Sequence, residues 1–392
     1  MPASRRIVAV LVVATAVTVG TGVGARLACS RPCISDLPSL YRSRAIRPDA
    51  PPYLDRNLEY PVLVGAAFYA ATFVSSGARS FFTVTGLGLA VLALIGTYLL
   101  ARRAGRRAWY WALAPPLLLY GAANWDLLAV VPAIAGIVAF GEGLDATSGV
   151  MLGIGAAAKL YPGLFVPVFV AARLRDRDAR GALRLLTGAL ATVALVNVPV
   201  LAASPSGWLY PLRFQSRRDA TWGSLWHYVL SPPGIGALLP AGVARSLTNG
   251  GAVIAVVAGV AAVSVLVWRG RLDAVVGAGI ATAVFLVANK VYSPQYDLWF
   301  VPFFVLLAVP WRDYAAFVVL DAAVFGVVFG RLGHHYRWTV TWAWFLGALV
   351  LARALTMAWT LRDARPLPQS LPEPPRSGPA EVPAGEAEVS VA

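Results

Sequence analysis

IVAVLVVATAVTVGTGVGA, residues 7–25, holds no charged side chain and no polar group larger than a threonine hydroxyl. A helix rises about 1.5 Å per residue and about 20 residues cross the hydrocarbon of a bilayer, so this run is long enough to span one. A cleaved signal core is shorter, about 7 to 15 residues. With Ser4-Arg5-Arg6 in front of it, the run reads as a retained signal anchor whose N-terminus lies inside. Cys29 does not read as a lipoprotein cysteine, because Arg26 and Leu27 stand where a lipobox carries leucine and a small residue.

Outward from this anchor, similar runs recur at 61–76, 80–101, 108–122, 124–140, 147–158, 161–172, 182–204, 249–268, 272–288, 298–310, 314–330 and 338–361. Apolar residues make up 58% of the chain and charged residues 13%, which excludes an ordinary soluble domain. These features predict an all-α, polytopic integral membrane protein of about 11 to 13 segments, several of them half-length or re-entrant. Residues 1–364 form the membrane-embedded unit in this reading. The Pro- and Glu-rich stretch 365–392 is expected to be a disordered cytoplasmic tail.

Basic residues set the topology. The clusters are Arg5-Arg6, Arg102-Arg103 with Arg106-Arg107, RLRDRDAR at 173–180, Arg269 with Arg271, Arg312, and Arg362 with Arg365. Basic loops stay inside, and all six clusters do so only if segment 61–76 makes no net crossing or hides a break. The net charge of +14 therefore reports orientation, and no basic stretch carries a nucleic-acid motif. Arginine in place of lysine, with abundant Ala, Val and Gly, fits a GC-rich coding bias and an actinobacterial source.

With that topology the polar chemistry gathers outside, in loop 26–60, GAANWDLL at 121–128, AAKLYPG at 157–163, loop 205–248, NKVYSPQYD at 289–297 and RLGHHYRW at 331–338. Among 33 basic residues only Lys159 and Lys290 are lysines, and both lie inside apolar stretches. An ammonium there wants a counter-ion, and a phosphate or carboxylate is the usual one; a lysine snorkelling to the headgroups is the plain structural alternative. A transporter would place such groups near the midplane of two related halves. No internal repeat is evident, which favours an enzyme with an interfacial active site.

Asp36 lies just beyond the first membrane helix in CSRPCISDLPSLYRSR, and the loop closes with DRNLEYPV. Together with NWDLL at 124–128, KLYP at 159–162, FQSRR at 214–218 and, most specifically, NKVYSPQYDLW at 289–299, this pattern resembles the C-type membrane glycosyltransferases. It is most similar to the polyprenol-phosphate-mannose-dependent mannosyltransferases of glycosyltransferase family 87, over most of residues 7–361. Val62 follows Tyr60-Pro61 where that family usually repeats proline. The resemblance implies a GT-C-like fold, a polyprenyl-phosphate mannose donor, and a glycolipid or lipoglycan acceptor. It also implies a multi-pass cell-membrane enzyme whose site faces the periplasm or exterior. A transferase of another polyprenyl-phosphate sugar, such as arabinose or glucose, and a transporter or flippase of lipid-linked sugar are the alternatives.

In this chemistry a phosphate leaves the anomeric carbon, so one carboxylate and a cationic cradle suffice. Asp36 is the expected general base, and single displacement inverts the configuration. Lys290 leads the expected phosphate ligands, followed by Lys159 and Arg217 or Arg218. Asn289, Gln295, Tyr296, Tyr41 and Asp126 are candidates for orienting donor or acceptor sugar, with polar helix ends as the structural alternative. Asp126 could equally cap the helix starting at Leu127. His334-His335 could hold phosphate or acceptor, of which His335 is the candidate sugar contact, although packing at an aromatic rim is the alternative; His227 reads as part of an interfacial helix. Glu59 is expected to tie the arginine-rich loop by an ion pair. No His and acid spacing makes a metal site and no cofactor is expected. Cys29 and Cys33 leave both a small disulfide and two thiols open.

Overall fold

The computed structural model describes residues 4–29, 34–230, 238–332 and 340–367. Hydrocarbon satisfies no backbone N–H or C=O, so apolar runs of this kind must close their own hydrogen bonds as helices. They do so throughout: the described residues form helices and isolated bridges, with no sheet.

The helices in order are α1 (Arg5–Ala28), α2 (Asp36–Arg44), α3 (Val62–Thr72), α4 (Ala78–Ala104), α5 (Trp109–Ala112), α6 (Pro115–Tyr120), α7 (Leu127–Gly141), α8 (Asp145–Ala158) and α9 (Phe165–Arg175). They continue with α10 (Ala179–Ala203), α11 (Pro205–Arg217), α12 (Leu225–Leu230), α13 (Ala241–Trp268), α14 (Ala274–Ala288), α15 (Val301–Leu306), α16 (Trp311–Leu332) and α17 (Val340–Arg362). Five stretches are long and apolar enough to cross a membrane: Arg5–Ala28, Ala78–Ala112, Ala179–Ala203, Gly242–Trp268 and Trp344–Arg362. α3, α7 and α14 are apolar but short. The expected half-length segments are therefore present. The run at 108–122 does not cross as one helix, because Pro115 and Pro116 open a new short helix, and the run at 298–310 is a 3₁₀ turn followed by only six α-helical residues.

α3 settles the question of segment 61–76. It has 11 residues, about 16 Å of rise, too little to cross. Tyr60 before α3 and Phe81 near the start of α4 both pack against Trp125. Both ends of the segment thus return to the same end of the bundle, and it makes no net crossing.

The tightest helix pair is α8 with α10. Gly149 and Gly153, four residues apart on α8, face the backbone carbonyls of Leu185 and Ala189, and a Cβ at either would overlap them. Small residues at that spacing let two backbones touch where apolar solvent supplies no drive for association. α7 packs on the other side of α8, with Ser148 Oγ donating to the Gly136 carbonyl at 2.8 Å. Both lysine turns share a form. Each follows the C-terminus of a short helix, α8 or α14, and each leads into a proline-bearing 3₁₀ turn, Tyr161–Leu164 or Pro294–Trp299.

Candidate active site

Asp36 is the first residue of α2, where the helix dipole favours a carboxylate. Its backbone N–H donates to the Ala123 carbonyl at 2.9 Å, which ties the start of α2 to the turn before α7. From that turn Asn124 Nδ2 donates to Asp36 Oδ2 at 2.8 Å and approaches the Tyr60 hydroxyl at 2.7 Å. Tyr60 in turn donates to the same carboxylate oxygen at 3.3 Å. Asp36 Oδ1 has no protein donor among the described residues, and the residue is exposed while Asn124 is buried. The surrounding protein mass pushes the carboxyl up from its ordinary range; the Lys159 charge and the bonds from Asn124 and Tyr60 oppose this, and the net direction is up. Because the group still opens to solvent, it is recessed and not sealed.

The loop around it is held by two contacts. Arg44 grips Glu59 through Nε and Nη2, both at 2.7 Å, the structural role expected for Glu59. Tyr53, buried and at φ 68°, sets its hydroxyl 2.8 Å and 2.9 Å from the Tyr60 and Pro61 carbonyls. Gly65 of α3 and Gly207 of α11 lie so close to Tyr53 that neither has room for a Cβ.

Asp126 occupies the N-cap position of α7 but caps nothing. Its Oδ1 accepts from Lys159 Nζ and from Trp299 Nε1, both at 2.7 Å, and the pair is buried. The Lys159 ammonium also lies 5.1 to 5.7 Å from the ring centres of Tyr60, Tyr296 and Trp299. Burial pulls Lys159 down, yet Asp126 together with Tyr296 and Asp36 more than offsets it and the net direction is up. Lys159 and Asp126, expected as separate ligands for phosphate and sugar, are thus partners. The helix cap that was the alternative for Asp126 is not formed: its backbone is already helical and its Oδ1 is turned to Lys159 and Trp299.

Lys290 is buried and donates to the Arg218 carbonyl at 2.5 Å. Burial holds it below its ordinary value, Asp219 opposes this, and Arg245 and Arg218 add to it. Arg217 and Arg218, at the end of α11, are exposed. Tyr296 joins the two halves of the site: its hydroxyl senses the charges of Lys159, Asp126, Arg218 and Asp36. The ring stacks on Trp299 at 4.1 Å, and Trp299 stacks on Tyr161 at 4.3 Å. Asn289 shapes the turn, its Oδ1 accepting from the Val291 N–H and its carbonyl from Ser224 Oγ. Gln295 accepts from Ser293 Oγ at 2.7 Å. Tyr41 stacks its ring on Phe81 at 4.8 Å. His334, His335 and Cys33 lie outside the described residues. Asn124, Tyr60 and Trp299, none of them assigned a role from the sequence, turn out to be the groups that orient the two carboxylates.

No protein-family model and no curated protein sequence matches the chain. Among solved structures it is similar to the crystal structure of ArnT from Cupriavidus metallidurans bound to undecaprenyl phosphate, with 15% identity and a TM-score of 0.43 over 91% of this chain and 75% of that one. It is also similar to the Archaeoglobus fulgidus oligosaccharyltransferase in the apo form, with 12% identity and a TM-score of 0.43, over 91% of this chain and 55% of that one.

Proposed function

We propose that the chain is a C-type membrane glycosyltransferase that moves mannose from a polyprenyl phosphate to a hydroxyl of a glycolipid or lipoglycan on the outer face of the membrane. The observation that carries this reading is the accessible Asp36 carboxylate, oriented through Oδ2 by Asn124 and Tyr60 with Oδ1 left open. In the reaction Oδ1 takes the acceptor hydroxyl proton as the new oxygen–carbon bond forms, and the bond from the anomeric carbon to the phosphate oxygen breaks. The leaving phosphate keeps the electron pair. Lys290 and Arg218 would stabilise its charge, acting as preorganised cations. One carboxylate in that role supports single displacement with inversion, and is worth about 10² to 10⁴ in rate.

The test is turnover of the purified protein in lipid, with a short-chain polyprenyl phosphate mannose and a panel of mannosylated glycolipids. New mannoside from wild type, absent with Asp36→Asn, is the expected result. Movement of the donor lipid across vesicles with no product from any acceptor would replace the transferase reading with transport.

A further inference from the structure

A second buried charge cluster lies beyond the carboxylates already described. On the 3₁₀ turn Pro294–Trp299, Tyr296 and Trp299 project toward Lys159 and Asp126, whereas Asp297 is engaged by other elements of the bundle. Its Oδ2 accepts from Arg353 Nη1 of α17 at 2.9 Å, both side chains being fully buried, and its Oδ1 accepts from the Tyr292 hydroxyl. The Arg353 guanidinium lies 4.0 Å from the centre of the Tyr292 ring. Asp321 of α16, also fully buried, senses the Asp297 charge where α16 packs against the 294–299 turn, and accepts on Oδ1 from the Tyr120 hydroxyl at 2.8 Å.

The count of charges does not balance if every group takes its usual form. Two carboxylates would face one guanidinium where no side chain reaches bulk solvent, and two neighbouring like charges cannot both be kept there. Among the described residues, Tyr228, which faces Arg353, and Arg26, which faces Tyr120, are the other titratable groups around the cluster, and Arg26 is spent on the Gly22, Leu119 and Ile34 carbonyls. Asp321 Oδ2 is a buried acceptor with no donor. A proton on that oxygen makes the cluster neutral and turns the unpartnered acceptor into a donor that can be offered to the Asp297 carboxylate.

We propose that Asp321 is held as the neutral acid, and that the Asp321–Asp297–Arg353 cluster is the device that positions the 294–299 turn against the site. The proton assignment rests on the burial of both carboxyls, the unpartnered Asp321 Oδ2 and the Arg353–Asp297 pair; only its consequence for transfer rests on the proposed function. Asp297, Asp321 and Arg353 are positioning residues: they bind α16, α17 and, through Tyr120, α6 to the turn that carries Tyr296 and Trp299.

Infrared difference spectroscopy of the full chain in lipid, wild type against Asp321→Asn, tests the assignment. The expected result is a protonated-carboxyl stretch in wild type that persists across neutral pH and is missing from the variant. An amide reproduces the neutral acid, so Asp321→Asn should keep its folded half-life on heating within about twofold, while Asp297→Asn and Arg353→Met each lose more than about tenfold because a buried charge is left alone. Absence of the band, its survival in Asp321→Asn, or failure of Asp321→Asn to fold would each overturn the proposal. If the protein proves to have no transferase activity, the band and the half-lives still decide it.

Discussion

Lys159 and Asp126, 33 residues apart, meet at 2.7 Å in a buried pocket where Trp299 supplies a second donor to the same carboxylate oxygen. The preceding residue but one, Asn124, orients Asp36. A single turn, Asn124-Trp125-Asp126, therefore fixes a solvent-facing carboxylate and a buried ion pair relative to each other.

Removing one member of that pair leaves the other buried and alone. Lys159→Met or Asp126→Leu should each cost about 3–5 kcal/mol, and the double variant should recover much of the loss. Thermal unfolding in detergent, analysed as a double-mutant cycle, measures the coupling. Additive losses would mean that the pair does not hold the pocket.

Asp36 must be ionised to accept a proton. Its carboxyl is raised by the protein packed around its recess, so the acid limb of the rate profile should fall at a higher pH than an ordinary aspartate near about 3.9 would give. Tyr60→Phe removes a donor that stabilises the ionised form, and so should move this limb further up while leaving the alkaline side in place. A downward displacement in the rate–pH profile would contradict the assignment of Asp36 as base.

Lys290 is seated beside Arg218 and Arg245, and among the described residues a backbone carbonyl is its hydrogen-bond partner. Lys290→Ala should weaken donor binding by about tenfold, the loss of one charge-assisted hydrogen bond. Titration of a short-chain polyprenyl phosphate without sugar checks this directly. Equal affinity in the variant would remove Lys290 from the phosphate site.

Gly65→Ala tests the wall of the pocket without touching any charged group. The added methyl would strike the Tyr53 ring, whose hydroxyl braces the Tyr60 and Pro61 carbonyls. The expected cost is about 1–3 kcal/mol of stability, the usual price of overpacking, with a lower turnover number. Unchanged melting and turnover would show that Tyr53 can shift freely.

Much of the helical order was readable in the sequence, because a 20-residue apolar run has one stable form in hydrocarbon. Asp36 was readable as a candidate acid, eight residues beyond the last residue of the spanning helix α1. The pairing of Lys159 with Asp126 was not, since each belongs to a different helix end and nothing local aims one at the other. Asn124 and Tyr60 were visible only as neighbours of better-marked residues. Arg353 and Asp321 are different: each is a lone charge in an apolar run, the same signal that singled out the lysines, and that rule applied evenly would have found both.

α7, α8 and α14 have 15, 14 and 15 residues, and each has one end at the site. At about 1.5 Å per residue they rise about 21 to 22 Å, against about 30 Å of hydrocarbon. If their far ends lie flush with one face, the charged groups sit roughly 8 Å below the other. A lipid-borne phosphate would have to descend from headgroup depth to reach Lys290, leaving behind part of its hydration. The length of three helices thus acts as a depth gauge, favouring chain-anchored substrates with a flexible neck over stiff, bulky headgroups.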